Sequence, residues 1–225
     1  MHMPERFEQR AGVGSSVAMS RLMLLLVCAH VIVIAASNYL VQIPFQLLGF
    51  YTTWGALSFP LIFVLTDLTV RVYGRSLARR VIVLVMFPAL VLSYIVSVLF
   101  QSGAWQGLDA LGDFNLFVAR IAFASFLAYL VGQLLDAQVF ERLKTVGAWW
   151  VAPAASTLIG NAVDTALFFS VAFFRSPDPF MAANWVEIAL VDYVFKLAFS
   201  LLFFLPVYKL ALNRMVGRAA ASAPA

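Results

Sequence analysis

Long apolar segments separated by short polar stretches follow one another along almost the whole chain. Each segment is close to the roughly 20 residues that an α-helix needs to cross a bilayer. This pattern predicts an all-α integral membrane protein, a compact bundle of six transmembrane helices with a central ligand cavity. The six predicted spans lie at about residues 20–42, 49–72, 78–101, 114–139, 149–174 and 185–211.

Two tails lie outside these spans, at residues 1–19 and 212–225. The first tail is polar, mixed in charge and without a recognisable cleavage site after the first apolar run. We therefore expect a short cytoplasmic tail rather than a removable signal peptide. We also expect interruptions within two spans, because the second contains Gly49, Gly55 and Pro60 and the third contains Pro88. Broken helices at membrane depth are typical of backbone that lines a cavity.

Basic residues predict the orientation of the bundle. Of the 15 Lys and Arg, only Arg175 lies in a loop on the opposite side, while Arg120 and Lys196 fall within spans. The remaining bases collect in both tails, between spans two and three, and between spans four and five. Cytoplasmic loops are the ones enriched in bases, so the pattern predicts that both termini are cytoplasmic.

Composition narrows the possible functions. The chain is 63% apolar and 12% charged, about half the charged fraction of a soluble domain. Its single cysteine, Cys28, excludes an intrachain disulfide, and the two histidines, His2 and His30, leave little for a multi-histidine zinc site. The net charge of +4 does not indicate a nucleic-acid partner, because the bases cluster where a membrane protein meets the cytoplasm. No nucleotide-binding loop or nucleophile motif occurs, so we expect neither a catalytic residue, a metal nor a cofactor.

The fifth span contains the most informative polar residue, Asp164. A carboxylate near mid-membrane costs about 2.5–3.5 kcal/mol on insertion scales, and such residues usually face a cavity or a partner. Ala152, Ser156, Gly160 and Asp164 follow one another at intervals of four, which places small side chains and the acid on one helix face. A helix or a flat ligand could pack against this face. The alternative is a packing seam whose acid is neutralised by a neighbouring cation.

Other charges also fall within the predicted spans. Asp67 with Arg71 and Asp192 with Lys196 have the i, i+4 spacing of helical ion pairs, which could serve as structural locks or gates. Arg120 precedes a second small-residue series, Ala124, Ala128 and Gly132, while Glu187 has no local partner. If every base pairs, one of the four acids remains unpaired and available to a ligand with hydrogen-bond donors.

Several motifs resemble those of the queuosine precursor transporter family, within the vitamin uptake transporters. The resemblance extends in order from about Ser37 to Tyr208 and rests on SNYLVQIP, GFYTTWGALSFPLIF, TDLTVRVYG, FNLFVARIA, WWVAPAASTLIGNAVDT, FFRSPDPFMAANW and EIALVDYVFK. It implies a six-helix protein of the bacterial inner membrane that imports 7-deazaguanine precursors, chiefly preQ0 and preQ1. The implied partners are this small-molecule substrate and the lipid bilayer, and the oligomeric state stays open between monomer and homodimer.

That substrate class suggests roles for particular residues. A 7-deazaguanine presents a ring N–H and an amine side by side, and one carboxylate, Asp164 or Glu187, could accept both. Asn161 could pair with the carbonyl and ring nitrogen, and Trp54 or a phenylalanine could stack on the rings. Asp192 and Asn38 complete the predicted substrate-binding set.

Four alternatives remain at this point. The chain could be the substrate-binding subunit of an energy-coupling vitamin importer, or a transporter of another purine-like molecule. A membrane enzyme would need a catalytic constellation that the residues do not offer. A purely structural bundle is disfavoured by the number of intramembrane charges.

Overall fold

The computed structural model describes residues 5–62, 65, 66, 69, 75–101, 103–143, 145, 148 and 150–204. Within these residues the chain is mostly helical. The helices are α1 (Glu5–Leu40), α2 (Trp54–Ser58), α3 (Arg75–Leu99), α4 (Leu116–Leu143), α5 (Val151–Phe173) and α6 (Pro179–Phe199), with a 3₁₀ turn at Leu108–Gly112 and a π-helical turn at Ser200–Phe204. Two antiparallel hairpins pair β1 (Pro44–Leu47) with β2 (Phe50–Thr53), and β3 (Phe100–Gln101) with β4 (Ala104–Trp105).

The first hairpin changes the prediction for the second span, which was expected to be helical from residue 49. Leu48 and Gly49 both have positive φ, 53° and 87°, and together form the two-residue turn between β1 and β2. Glycine adopts this conformation freely, and the aromatic and β-branched residues of β2 favour a strand. Helix therefore starts only at Trp54, and α2 ends at Ser58, two residues before Pro60. The predicted interruption near Pro60 is present.

The other helix limits have local causes. Asp178 accepts a hydrogen bond from Met181 N at 2.9 Å and so caps α6, with Pro179 at its first position. Pro88 lies inside α3, which nevertheless continues to Leu99. Helix α1 begins at Glu5, well before the predicted first span.

Two apolar clusters hold the helices together. The first cluster joins the end of α1 to α4, α5 and α6 through Val41, Ile121, Ala124, Phe169, Ala172, Phe173, Met181, Ile188 and Ala189. The second cluster joins α1 to α3 through Ile34, Ile62, Val81, Val85, Met86 and Ala89. A cavity lies against residues of both clusters.

The helices carry polar groups inside and apolar groups outside. On α6, Asp192 and Lys196 are buried, while Val186, Leu190 and Val194, spaced four residues apart, are 53–63% exposed. Water does not favour such an apolar outer stripe, whereas lipid does. By length and composition, Arg21–Leu40 and Ala154–Phe173 could each cross a bilayer, and Val83–Leu99 and Leu116–Gly132 are shorter apolar helices. The described helices thus combine apolar outer faces with buried charges, an arrangement that suits lipid.

Candidate substrate cavity

A partly open cavity lies between the two clusters. Its empty space is about 550 Å³ when the part open to solvent is included. The polar side chains that line it are Ser37, Asn38, Ser125, Tyr129, Asp164, Asp192 and Lys196. The apolar lining includes Ile34, Val41, Phe59, Ile62, Met86 and Phe168.

Lys196 lies at the centre of the charged part of the cavity. Its Nζ donates to Asp164 Oδ2 at 2.9 Å and to Thr165 Oγ1 at 3.2 Å, and it lies 2.8 Å from Asp192 Oδ2. The ammonium also lies 4.3 Å from the centre of the Phe59 ring, within the range of a cation–π contact. The predicted pair between Asp192 and Lys196 is therefore present, and Asp164 joins it. In the part of the chain that the structure describes, no three His, Cys, Asp or Glu side chains are grouped as metal ligands.

The two acids around Lys196 are not equivalent. The Asp192 side chain is 6% exposed and also accepts from Thr165 Oγ1 at 3.3 Å, whereas the Asp164 side chain is 17% exposed. Oδ2 of Asp164 accepts the hydrogen bond from Lys196, while Oδ1 lies beside the seam with α4, 3.7 Å from where a Cβ on Gly132 would be. With both acids ionised, two carboxylates share one ammonium and the cluster has a formal charge of −1. The site thus favours a ligand that offers hydrogen-bond donors.

Small residues place Asp164 at this position. A Cβ added to Gly132 of α4 would lie 3.4 Å from Asp164 Cβ and 3.8 Å from the Gly160 carbonyl oxygen of α5. The two predicted small-residue series therefore pack against each other, and Ala124, Ala128, Ala152 and Ser156 are buried along them. Because these helices approach closely, the Asp164 side chain can extend past the seam to Lys196.

Helix α1 also contributes polar side chains to the cavity wall. Asn38 donates through Nδ2 to Ser93 Oγ at 3.1 Å, which fixes the amide, and Ser37 Oγ lies 2.9 Å from Ser58 Oγ. Ser58 in turn donates to the Gly55 carbonyl oxygen at 3.1 Å. Asn38 therefore lines the cavity, with its orientation set by the hydrogen bond to Ser93 of α3.

Tyr129 and Phe168 provide aromatic surface in the cavity. The Tyr129 hydroxyl is buried and has no hydrogen-bond partner among the residues that the structure describes. Sequence reasoning did not select Tyr129. Tyr129 directly follows Ala128 of the small-residue series in α4. This position was the available signal in the sequence, because the contact between α4 and α5 brings that series beside Asp164.

Three predicted substrate-binding residues lie elsewhere. Asn161 is buried and donates to Ser200 Oγ at 3.4 Å, and it is not among the cavity-lining residues. Glu187 accepts from Tyr51 N at 2.7 Å and thereby ties α6 to the first hairpin. Trp54 is 47% exposed and stacks on Phe45 with ring centres 4.6 Å apart. The structure gives these three side chains contacts with neighbouring elements rather than positions along the cavity.

Arg120, another charge predicted from the sequence, also does not line the cavity. Arg120 has carbonyl partners instead of a carboxylate: it donates to the carbonyl oxygens of Val171, Phe174 and Arg175 at 2.6–3.1 Å. These carbonyls end α5, where the helix leaves its last acceptors without partners of its own, so Arg120 caps that helix. Asp67 and Arg71 lie outside the described residues.

Comparison with known proteins gives a consistent result. Residues 53–211 match a family described as "Putative vitamin uptake transporter". The chain is 61% identical over 191 residues to the "Queuosine precursor transporter" of Escherichia coli K12, covering 85% of this chain and 86% of that protein. It is 51% identical over 196 residues to the "Probable queuosine precursor transporter" of Haemophilus influenzae, covering 82% and 83% of the two chains. No solved structure matches the chain significantly. On this similarity, the chain belongs to the vitamin uptake transporter family.

Proposed function

We propose that this protein imports 7-deazaguanine precursors of queuosine, preQ0 and preQ1, across the bacterial inner membrane. The observation that carries the proposal is the high identity, over most of both chains, to a queuosine precursor transporter. The family match supports transport of a small molecule rather than catalysis. The cavity supports the same substrate class on chemical grounds.

The charged cluster suits the donor edge of a 7-deazaguanine. Asp164 lines the cavity, and Lys196 donates to one of its two carboxylate oxygens. A carboxylate in this state accepts from a ring N–H and an adjacent amine, the two donors that 7-deazaguanine places side by side. Phe168 offers a ring face for stacking, a contact worth about 1–3 kcal/mol per base. Asp164 is thus the residue to which we assign substrate recognition.

The six-span arrangement with both termini in the cytoplasm forms part of the same proposal. Its support is the distribution of bases along the chain together with the apolar outer surfaces of the described helices. In this arrangement the Asp164–Lys196–Asp192 cluster lies within the membrane, between spans five and six. A substrate bound there would lie at membrane depth, where transporters place their central binding sites.

Uptake into cells tests the proposal directly. Labelled preQ0 and preQ1 are supplied to cells that lack both precursor synthesis and their own transporter, with and without this chain. We expect accumulation of label and of queuosine in tRNA only when the chain is present. Equal accumulation with an empty vector would refute the function.

Reconstitution separates the proposal from its main alternative. In liposomes that contain this chain alone and no ATP, we expect entry of labelled preQ0. A substrate-binding subunit of an energy-coupling importer would bind the ligand but would not admit it without an ATPase partner.

A further inference from the structure

We propose that the Tyr129 hydroxyl donates a hydrogen bond to the ring carbonyl of the ligand, beside the donors that Asp164 accepts. This inference rests on the proposed function and assigns a second recognition residue to the same cavity. It replaces the role that sequence reasoning gave to Asn161, whose amide contacts Ser200 instead.

The first support is the state of the Tyr129 side chain. Its ring packs against the second apolar cluster, which includes Ile34, Val85 and Met86, so the position of the hydroxyl is fixed. Within the described part of the chain, the buried hydroxyl has no hydrogen-bond partner. Buried polar groups are normally hydrogen-bonded, and one left unsatisfied at a cavity wall is suited to a ligand atom.

The second support is the relation between Tyr129 and Asp164. Both residues line the same cavity, Tyr129 from α4 and Asp164 from α5, across the close seam at Gly132. Lys196 donates to only one of the two Asp164 oxygens, Oδ2. The wall therefore offers a hydroxyl donor and a carboxylate acceptor to the same ligand.

This pair matches one edge of a guanine-type ring. That edge carries a carbonyl acceptor, a ring N–H donor and an amine donor in sequence. Tyr129 would satisfy the carbonyl while Asp164 accepts from the two donors. An adenine-type edge places an amine where the carbonyl would be and an acceptor beside it, so it would meet both protein groups with the wrong polarity.

A pair of ligands that differ at the carbonyl alone tests this assignment. We would compare 7-deazaguanine with its 6-thioxo analogue, which keeps both donors but replaces the oxygen with sulfur, a weak acceptor. Each compound competes over a concentration series against uptake of labelled preQ0. The proteins are the wild type, Tyr129→Phe and a matched control, Tyr193→Phe, whose hydroxyl donates to the Leu158 carbonyl oxygen and does not line the cavity.

The wild type and Tyr193→Phe should prefer the oxo compound by about tenfold. Tyr129→Phe should lose that preference, with weaker inhibition by the oxo compound and nearly unchanged inhibition by the thioxo compound. The thioxo result shows that the variant is folded, because the ring of Tyr129 is retained and the other contacts are intact. A Tyr129→Phe protein that keeps the wild-type preference would overturn the assignment while leaving the proposed function in place. Failure of the wild type to take up labelled preQ0 would instead refute the function itself.

Discussion

Lys196 is shared by two acids that both line the cavity, and Asp164 is the more exposed of the two. Asp192 and Thr165 remain as partners of Lys196 if Asp164 is replaced. The separation of roles follows: Asp192 serves as the permanent counter-ion of Lys196, and Asp164 is available to the ligand.

Asp164→Asn should therefore abolish most uptake while leaving insertion and folding nearly intact, because Lys196 keeps a one-to-one partner and a charge is removed from the membrane. Uptake of labelled preQ0, normalised to monodisperse protein in detergent, measures this effect. Asp109→Asn, in the exposed 3₁₀ turn, is the matched control and should transport normally. Wild-type transport by Asp164→Asn would contradict the role given to this acid.

Lys196→Met should be the more damaging change, because it leaves two neighbouring buried carboxylates without a cation. Loss of one partner from a buried ion pair costs about 3–5 kcal/mol, so we expect a clear fall in thermal stability. Replacing Asp192 with Asn in the same protein should restore part of that loss. Melting temperatures of the two single variants and the double variant measure this coupling, and strictly additive losses would show that the two residues do not interact.

At the scale of secondary-structure elements, two glycines lie at contacts that differ in how much space they leave for a side chain. A Cβ at Gly55 would lie 2.9 Å from N, Cα and Cβ of Val41, so α2 contacts the end of α1 without space for a side chain. At Gly132 the nearest atom would be 3.4 Å away, an ordinary contact distance. The same substitution should thus have different effects at the two seams.

Gly55→Ala should lower stability by about 1–3 kcal/mol, because the backbones of α1 and α2 must move apart. Gly132→Ala should be neutral or slightly stabilising, since alanine favours a helix interior by about 1 kcal/mol over glycine. Thermal unfolding in detergent compares the two variants. Equal stability of the two proteins would contradict the close contact between Gly55 and Val41.

Arg120 offers a second test at this scale, because its guanidinium binds the carbonyls that end α5. Arg120→Gln should reduce the yield and melting temperature, and uptake should fall only in proportion to the folded protein. Arg120→Lys, which keeps the charge but loses the planar donor arrangement, should recover part of the stability. Normal folding combined with lost uptake would instead indicate a gating role.

For the whole molecule, the arrangement of charges and apolar surface follows from the two solvents that a membrane protein meets. Charged side chains of α5 and α6 face inward, while the outer faces of α1, α3 and α6 expose leucine, valine and phenylalanine. This distribution suits a bundle surrounded by lipid. The clustering of bases in the predicted cytoplasmic loops favours the orientation with both termini in the cytoplasm.

Thiol labelling checks that orientation. In a Cys28→Ser background, a cysteine replacing Asp109 should react with a membrane-impermeant reagent applied to intact cells. A cysteine replacing Ser222, in the C-terminal tail, should react only after permeabilisation. Labelling of Ser222→Cys in intact cells would contradict a cytoplasmic C-terminus.

Sequence alone determined that the protein is a helical membrane protein of a transporter family, because hydropathy, base distribution and local motifs are properties of contiguous residues. It also indicated the small-residue series, the pair of Asp192 with Lys196, and Asp164 and Asn38 as cavity residues. Tertiary structure decided which other side chains share the cavity, since this depends on how each helix is rotated against its neighbours. That rotation directs Glu187 and Arg120 to backbone groups of other elements and brings Tyr129 to the cavity of Asp164. The first hairpin likewise depended on a positive φ at Leu48, a conformation that a non-glycine residue adopts only when its surroundings hold it there.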